Sequence, residues 1–321
     1  MKILFIGLGS IGKRNLNNVK KYLCGNEIEA ELHCLKSKNS SSMNIDIYEG
    51  INKMLYSFDD IDNDYDCIFI TNPTHMHYDT LERVINKGKY FFLEKPAFDS
   101  YKYDISFISK ELSKRIYVAA PLRYTPVFNE IKNSIKDEKI HSLRSICSTY
   151  LPDWRPSVDY REVYSAHKDQ GGGVSIDCIH ELDYITNLVG FPEKIYNLQD
   201  KVSSLEVDCE DISIYVARTN NVFIELHLDY FGVRARREVE LITESGIIRG
   251  DFINKTVYNS TIENKTVFDY DANDMYVKEI EYFFQSVCSD KGNWNDIYES
   301  IKLLKIIKES EQNEYTNNNL W

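Results

Sequence analysis

The sequence predicts an α/β protein with a doubly wound parallel sheet in its N-terminal part and an α+β domain with a mostly antiparallel sheet in its C-terminal part. The first sign is an apolar run at residues 2–6 that leads directly into a glycine-rich turn and a helical pattern. The second is that further apolar strands alternate with helices up to residue 120. The third is a series of short strands from residue 195 onward, some with period-two alternation, as at 222–228.

The composition is that of an ordinary globular protein, with 321 residues, 43% hydrophobic and 27% charged. We expect two domains or one large one. No apolar run reaches the roughly 18 residues of a membrane span, and no signal peptide is evident, so we expect a cytoplasmic protein. A net charge of −12 argues against nucleic acid as a partner. The seven cysteines are scattered without a CxxC motif, which favours free thiols over disulfides or zinc.

The glycine motif at residues 7–12 lies between a predicted strand and a predicted helix at 13–22. In that position Gly7 makes a tight turn, Gly9 lets the backbone approach a pyrophosphate, and Gly12 permits close helix–strand packing. The N-terminus of the helix offers N–H donors to the phosphates. Ser10 and Ile11 therefore join the glycines as predicted cofactor contacts, and a plain glycine turn is the alternative.

The second predicted strand, residues 30–35, ends without the carboxylate that would hold the ribose 2′-hydroxyl of NAD. Lys36, Ser37 and Lys38 follow it, and these side chains would suit a 2′-phosphate. NADP is therefore the preferred cofactor and NAD the second choice. A solvated basic loop would have the same sequence.

Two later strands, at 67–71 and 90–93, flank a predicted helix at 78–87 that Gly88 ends. Because ligands bind at the carboxyl ends of parallel strands, the residues after these strands are predicted to line one cleft: Thr71, Asn72, Pro73, His75, His77, Glu94 and Lys95. Lys95 is a credible proton donor or acceptor there, with a surface lysine as the alternative. His75 and His77 lack further ligands at metal spacing, so no metal is predicted. A helix at 105–113 and a strand at 116–120 complete a domain predicted to span residues 1–122.

Gly171, Gly172 and Gly173 open a predicted helix that carries Asp177 and His180. Residues three apart lie on one helix face, and a carboxylate beside an imidazole fixes its tautomer and raises its basicity. A core helix with a polar pair explains this stretch equally well when it is read alone. With a dinucleotide site before it, the triple glycine is expected to bring backbone close to substrate or nicotinamide.

The loop at 152–170 is long and rich in aromatic and basic residues. Its aromatic rings could face a sugar, and its guanidinium groups could bind carboxylate or phosphate. We predict substrate contacts at Arg123, Tyr150, Trp154, Arg155, Tyr160, Arg161 and His180. A structural lid or a subunit contact is the alternative for the loop.

Five strands are predicted after this loop, at 195–202, 212–218, 222–231, 237–243 and 247–253, with turns at 220–221 and 244–246. Arg234, Arg236 and Arg237 lie just past the third strand and either reach an anionic substrate or form a solvated turn. Helices are predicted at 275–287 and 297–307. The predicted second domain spans 123–290, and 291–321 is a helix that packs back on the first domain, followed by a frayed tail.

Three features together, the glycine motif at 7–12, Glu-Lys-Pro at 94–96 and the Gly-rich DxxHELD stretch at 171–183, resemble the glucose–fructose oxidoreductase / inositol dehydrogenase / MocA family of NAD(P)-dependent dehydrogenases. The resemblance covers nearly the whole chain. It implies a Rossmann domain, a second domain with an open, mostly antiparallel sheet, and a homodimer or homotetramer formed through that sheet. It also implies hydride transfer between a nicotinamide and a sugar or polyol carbon.

The resemblance further assigns catalytic roles. Lys95 matches the lysine that helps to handle the hydroxyl proton, His180 the usual general acid/base, and Asp177 the acid one turn earlier. Many members space the last two as DxxxH, whereas this chain has DxxH. The loop also resembles a subgroup associated with bacterial surface sugars, including nonulosonic acids, which implies a sugar acid or nucleotide-activated sugar as substrate.

Two other functions remain open. One is a non-catalytic NAD(P)-binding sensor of the same fold. The other is an enzyme that uses tightly bound NAD for a different sugar chemistry through transient oxidation. The presence of both Lys95 and His180 favours an oxidoreductase over a sensor.

Overall fold

A computed structural model describes residues 1–36, 50–219 and 221–310. The predicted cofactor residues Ser37 and Lys38, the turn residue Asn220 and the predicted tail lie outside these ranges. Contacts divide the chain into two compact units. The first comprises Met1–Pro121 and Asn273–Lys302, and the second comprises Leu122–Ala272 and the described residues from Leu303 onward. The chain thus returns to the first unit at Asn273, earlier than the predicted boundary at residue 291.

The described residues form eight α-helices: α1 (Ser10–Gly25), α2 (His77–Val84), α3 (Lys110–Ser113), α4 (Pro126–Ser134), α5 (Val174–Asp177), α6 (Ile179–Val189), α7 (Asp274–Tyr282) and α8 (Ile297–Ser310). A π-helical turn, Phe283–Val287, follows α7 directly. None of the helices in the described ranges is long and apolar enough to cross a membrane.

Two predicted helix boundaries are wrong. The helix predicted at 105–113 begins only at Lys110, because the extended Ser109 caps it by accepting a hydrogen bond from Leu112 N at 3.1 Å. Gly88 does not end α2, which already stops at Val84. It begins a strand instead, where a Cβ atom would lie 2.8 Å from Ile68 Cδ1, so glycine permits the close packing.

The first unit contains a six-stranded parallel sheet in the order β3-β2-β1-β4-β5-β6. Its strands are β1 (Lys2–Ile6), β2 (Glu31–Leu35), β3 (Lys53–Leu55), β4 (Tyr65–Ile70), β5 (Gly88–Leu93) and β6 (Ile116–Val118). Phe69 lies opposite Phe5 on one neighbouring strand and Phe92 on the other, with ring centroids 4.6 and 5.0 Å apart. This buried aromatic stack joins the three central strands.

The second unit contains an eight-stranded sheet in the order β14-β13-β12-β11-β7-β10-β9-β8. Its strands are β7 (Ile140–Tyr150), β8 (Lys194–Asp200), β9 (Ile212–Thr219), β10 (Val222–Asp229), β11 (Phe231–Thr243), β12 (Ile247–Asp251), β13 (Thr256–Asn259) and β14 (Asn264–Val267). All pairings are antiparallel except that of β7 with β10. The predicted fold class is therefore confirmed. Arg234, Arg236 and Arg237 lie within β11, so the alternative that they form a solvated turn is wrong.

Alternation along β9 gives this sheet two different faces. Tyr215 and Ala217 point inward and are buried, whereas the residues before each of them, Ile214 and Val216, are exposed. Helices α4 and α5 contact strands of the sheet and cover part of its buried side. The opposite face retains apolar side chains in contact with solvent.

Candidate functional site

The glycine loop between β1 and α1 has the geometry that its motif requires. Gly7 has a φ of +94°, and a Cβ atom there would lie 2.5 Å from Asn72 N. At Gly12 a Cβ atom would lie 2.3 Å from Gly7 O. Gly9 differs, because no described atom lies within 4 Å of the place its Cβ would occupy. Gly7 and Gly12 thus serve backbone packing, while Gly9 leaves space in front of the loop.

The N-terminus of α1 suits an anion. Gly9 is its N-cap, no side chain caps it, and no acidic residue lies in its first turn. The N–H groups of Ser10, Ile11 and Gly12 and the positive end of the helix dipole are therefore available to phosphates. Thr71 fixes the loop from the end of β4 by donating a hydrogen bond of 2.6 Å to Gly7 O. These residues fit a dinucleotide.

His77 braces the segments that follow β4 and β5. Its Nε2 lies 2.8 Å from Asn72 O, and its Nδ1 lies 3.1 Å from Pro96 O. Burial lowers the pKa of His77, so the ring is neutral at neutral pH. A neutral imidazole has one N–H, so the ring donates to only one of these two carbonyl oxygens at a time. The ring is buried between these two segments. The prediction that His77 lines a ligand cleft is therefore not supported. His75 and Pro73 are exposed on the preceding segment.

Glu94 is fastened to α1 by Asn15, whose Nδ2 donates a hydrogen bond of 2.7 Å to Glu94 Oε1. Burial raises the pKa of the Glu94 carboxyl. The Oδ1 atoms of Asn15 and Asn72 are buried and have no hydrogen-bond partner among the described residues. A bound ligand or water would satisfy them. Lys95, which follows Glu94, is partly buried, and its bond to Pro96 is cis. The sequence motifs did not indicate Asn15.

The helix predicted to carry Asp177 and His180 is broken. Cys178, with φ −93° and ψ 26°, separates α5 from α6. The prediction that the two residues share one helix face is therefore wrong, since they lie on either side of the break. Asp177 is buried and accepts a hydrogen bond of 2.5 Å from Tyr230 Oη at Oδ2. His180 is partly buried in the first turn of α6.

The triple glycine packs against its own chain. At Gly172 a Cβ atom would lie 2.4 Å from Tyr164 O, and at Gly173, with φ +126°, it would lie 2.2 Å from Glu210 Oε1. The expectation that these glycines bring backbone to substrate or nicotinamide is therefore not supported at positions 172 and 173. Only at Gly171, in the left-handed region, is the space within 4 Å clear of described atoms.

The two acids that follow His180 form ion pairs. The Asp183 carboxylate accepts hydrogen bonds from Nε and Nη2 of the buried Arg123, at 2.8 and 2.6 Å. Glu181 lies 2.6 Å from Arg237 Nε, although the N–H does not point along this contact. Buried charges need such partners. The ion pair with Asp183 does not support Arg123 as a substrate contact, and Arg237 likewise serves a structural role.

The two arginines of the aromatic loop differ in their surroundings. Arg161 contacts Asp159 at 2.6 Å and Glu206 at 2.9 Å, and its guanidinium holds the pKa of Asp159 at about 2. Its charge is thus already balanced. Arg155 is exposed, and its guanidinium lies 5.8 Å from the centre of the Tyr164 ring. Of the two, Arg155 is better placed to receive an anionic group.

The remaining predicted substrate residues lie on or beside this loop. Trp154 packs edge-on against Tyr230, with ring centroids 5.4 Å apart. Tyr160 Oη accepts a hydrogen bond of 3.1 Å from Glu206 N. Tyr150 ends β7 and is partly buried. Trp154, Arg155 and Tyr160 line one small cavity with Leu151, Val158, Val163 and Ser165.

Comparison with known proteins relates the first unit to one family. Residues 1–115 match the family model described as an oxidoreductase family with an NAD-binding Rossmann fold. Inositol 2-dehydrogenase of Rhizobium meliloti is 28% identical over 130 residues, which are 40% of this chain and 37% of that protein. The 2,7-anhydro-N-acetylneuraminate hydratase of Escherichia coli is 24% identical over 204 residues, 59% of this chain and 50% of that protein.

The chain thus spans between about a third and a half of the length of these curated relatives. Among solved structures, an oxidoreductase domain protein from Kribbella flavida matches with a TM-score of 0.82 and 12% identity. The match covers 96% of this chain and 95% of that one. At this identity the likeness shows the fold alone.

Proposed function

We propose that the chain is an NAD(P)-dependent sugar oxidoreductase, because residues 1–115 match the Gfo/Idh/MocA model of oxidoreductases with an NAD-binding Rossmann fold. It would transfer hydride between the nicotinamide and a hydroxyl or keto carbon of the sugar. The observation that carries this proposal is the open backbone at Gly9, in front of a helix N-terminus without a side-chain cap. A dinucleotide pyrophosphate is an anion of the kind that binds at such a helix N-terminus.

The proposed cofactor contacts fall into three groups: Gly7, Gly9, Ser10, Ile11 and Gly12 for the pyrophosphate; Thr71, Asn72, Pro73, His75, Glu94 and Lys95 for the nicotinamide side; and Lys36, Ser37 and Lys38 for the 2′ position. The cofactor supplies the hydride acceptor or donor. NADP is preferred over NAD, because no acidic residue follows β2 between positions 36 and 42.

Alcohol oxidation also releases a proton, which side chains of the protein must accept. We assign this to His180, with Lys95 as the cation that polarises the substrate oxygen. Asp177 is the acceptor that orients its neighbours. Lys95 lies just after β5 and follows Glu94, which accepts a hydrogen bond from Asn15 on α1. This position supports its role. The partial burial of His180 supports a group that is reachable yet shielded from bulk water.

The substrate we propose is an acidic or nucleotide-activated sugar of the kind used in bacterial surfaces. Arg155, an exposed cation of the aromatic loop, supports an anionic group on the substrate. The relative that acts on an anhydro-neuraminate supports the same class by its name. It is named a hydratase, and hydration has no net redox change. That name favours, as a second candidate, an enzyme that oxidises its sugar only transiently and regenerates its cofactor.

We also propose that a second copy of the chain covers the outer face of the second unit's sheet. Tyr196 and Leu198 on β8, Val216 on β9 and Phe223 on β10 are 61, 76, 51 and 57% exposed. A contiguous apolar patch of this kind is typical of an interaction surface.

A panel of free and nucleotide-activated sugars, incubated with NADP⁺ or NAD⁺ and then with the reduced cofactors, tests the proposal. Net change in nicotinamide absorbance with at least one sugar supports an oxidoreductase. Sugar conversion without net change supports transient oxidation. Cofactor binding without any conversion would instead indicate a sensor.

A further inference from the structure

We infer that Tyr230 and Tyr164 are positioning residues that hold the Asp177 carboxylate in one fixed orientation. The inference rests on the proposed function, since Asp177 is one of its assigned residues. All three residues belong to the second unit. Neither tyrosine was singled out for this role by the sequence motifs.

The Tyr230 hydroxyl lies 2.5 Å from Asp177 Oδ2. Tyr230 is fully buried and Asp177 is 7% exposed, so water has little access to this contact. A phenol that donates to a carboxylate forms a short, charge-assisted hydrogen bond. Burial and the nearby charge of Asp177 raise the pKa of Tyr230, so the phenol keeps its proton and remains the donor.

The backbone around Tyr230 is held on both sides. Tyr230 N donates to Asp211 O at 2.9 Å, and Tyr230 O accepts from Leu151 N at 2.9 Å. Trp154 packs against the ring nearly perpendicularly, at 88°. The hydroxyl therefore cannot leave Asp177 without disturbing both the strand end and the start of the aromatic loop.

Asp177 also influences Tyr164 electrostatically, and we assign the Tyr164 hydroxyl as a second donor to this carboxylate. Although the residue is 42% exposed, desolvation and the charge of Asp177 raise the pKa of Tyr164, so that it too remains a donor. Its backbone carbonyl lies against Gly172, where any side chain would clash. Glycine at 172 thus allows the backbone of Tyr164 to lie close to the segment that leads into α5.

Two donors on one carboxylate fix the plane of the group and leave further lone pairs for another donor. Such fixing matters here because the helix breaks after Asp177, so one continuous helix does not set the position of its carboxylate relative to α6. Held in this way, Asp177 serves as an oriented acceptor for His180 or the substrate. It is not a mobile base.

The test compares kcat and KM of wild type, Tyr230→Phe, Tyr164→Phe, Asp177→Asn and the two double variants. Tyr184→Phe is the matched control, because it removes an equally buried hydroxyl whose partner is Ser145 Oγ at 2.6 Å. We expect Tyr230→Phe and Tyr164→Phe each to lower kcat about tenfold or more. KM and Tm should stay near those of the control. In the Asp177→Asn background the same changes should have almost no further effect.

The inference is overturned if Tyr230→Phe and Tyr164→Phe match the Tyr184→Phe control, or if their losses multiply with that of Asp177→Asn. The proposed function stands in both cases, because wild type still turns over. If wild type converts no sugar, the proposed function and this inference fall together. Should Tyr230→Phe not fold, Tyr164→Phe decides, since its ring lies partly at the surface.

Discussion

Asn15 on α1 donates a hydrogen bond of 2.7 Å to Glu94, and so fastens the helix behind the glycine loop to the residue that precedes Lys95. The predicted pyrophosphate site and the predicted catalytic lysine are therefore parts of one connected structure within the first unit. Damage to this link should affect stability and cofactor binding together.

Glu94→Gln is expected to change how stability depends on pH. Burial raises the pKa of Glu94 above its ordinary value of 4.5. The folded protein therefore keeps a proton that the unfolded chain has released. This stabilisation is present below the unfolded pKa and is lost as pH rises through the folded pKa. Glutamine lacks the charge but can still accept from Asn15. The Tm of the variant relative to wild type should therefore increase as pH rises above about 4.5.

Glu244→Gln is the control of opposite sign. The hydrogen bond from Lys139 lowers the pKa of this exposed carboxyl, so its stabilisation is lost as pH falls. Any Tm deficit of this variant should shrink towards acidic pH. If the Tm difference between Glu94→Gln and wild type is the same at every pH, the account of Glu94 is contradicted.

Gly9→Ala should weaken cofactor binding without harming the fold. Its Cβ would enter space that is clear of described atoms, where we place the pyrophosphate. We expect the Kd for NADPH, measured by fluorescence titration, to rise on the order of tenfold or more while Tm stays unchanged.

Two further glycine variants of the same helix serve as controls for Gly9→Ala. Gly25→Ala at the far end of α1 also meets no described atom within 4 Å and should leave both Kd and Tm unchanged. Gly12→Ala would bring a Cβ within 2.3 Å of Gly7 O and should lower Tm. Unchanged NADPH affinity in Gly9→Ala would refute the placement of the pyrophosphate.

Arg155→Gln should raise the KM for an acidic sugar roughly tenfold, because a charge-assisted hydrogen bond is lost. The KM for a neutral sugar should not change. Arg161→Gln is the matched control, since Asp159 and Glu206 already balance its charge. Equal effects of the two variants on KM would show that the loop does not recognise an anion through Arg155.

Leu198→Glu should dissociate the proposed oligomer, because it places a charge in the apolar face of the sheet. Light scattering after size-exclusion chromatography measures the mass. Tyr56→Glu, at an exposed apolar residue of the first unit, should leave the mass unchanged. A monomeric wild type would rule out this assembly.

The sequence predicted those features that depend on neighbouring residues. The strand, glycine turn and helix at residues 2–25 are contiguous, so their order alone indicated the loop geometry that Gly7 and Gly12 now display. Lys95 was placed correctly at a strand end for the same reason.

Features that depend on distant partners could not be predicted. The break at Cys178 has no proline or glycine to announce it, and a hydrogen-bond partner of Asp177, Tyr230, lies 53 positions along the chain. The ion pair of Arg123 with Asp183 joins residues 60 positions apart. Tertiary packing, and not local pattern, determines these contacts.

The central claim is hydride transfer, and deuterium transfer measures it most directly. Sugars deuterated at their hydroxyl-bearing carbons are incubated with stoichiometric protein and NADP⁺ or NAD⁺, and the nicotinamide is analysed by mass spectrometry. The account predicts deuterium in the cofactor with at least one sugar, and its loss in Lys95→Ala and His180→Ala. Cofactor that binds but gains no deuterium from any sugar would contradict it.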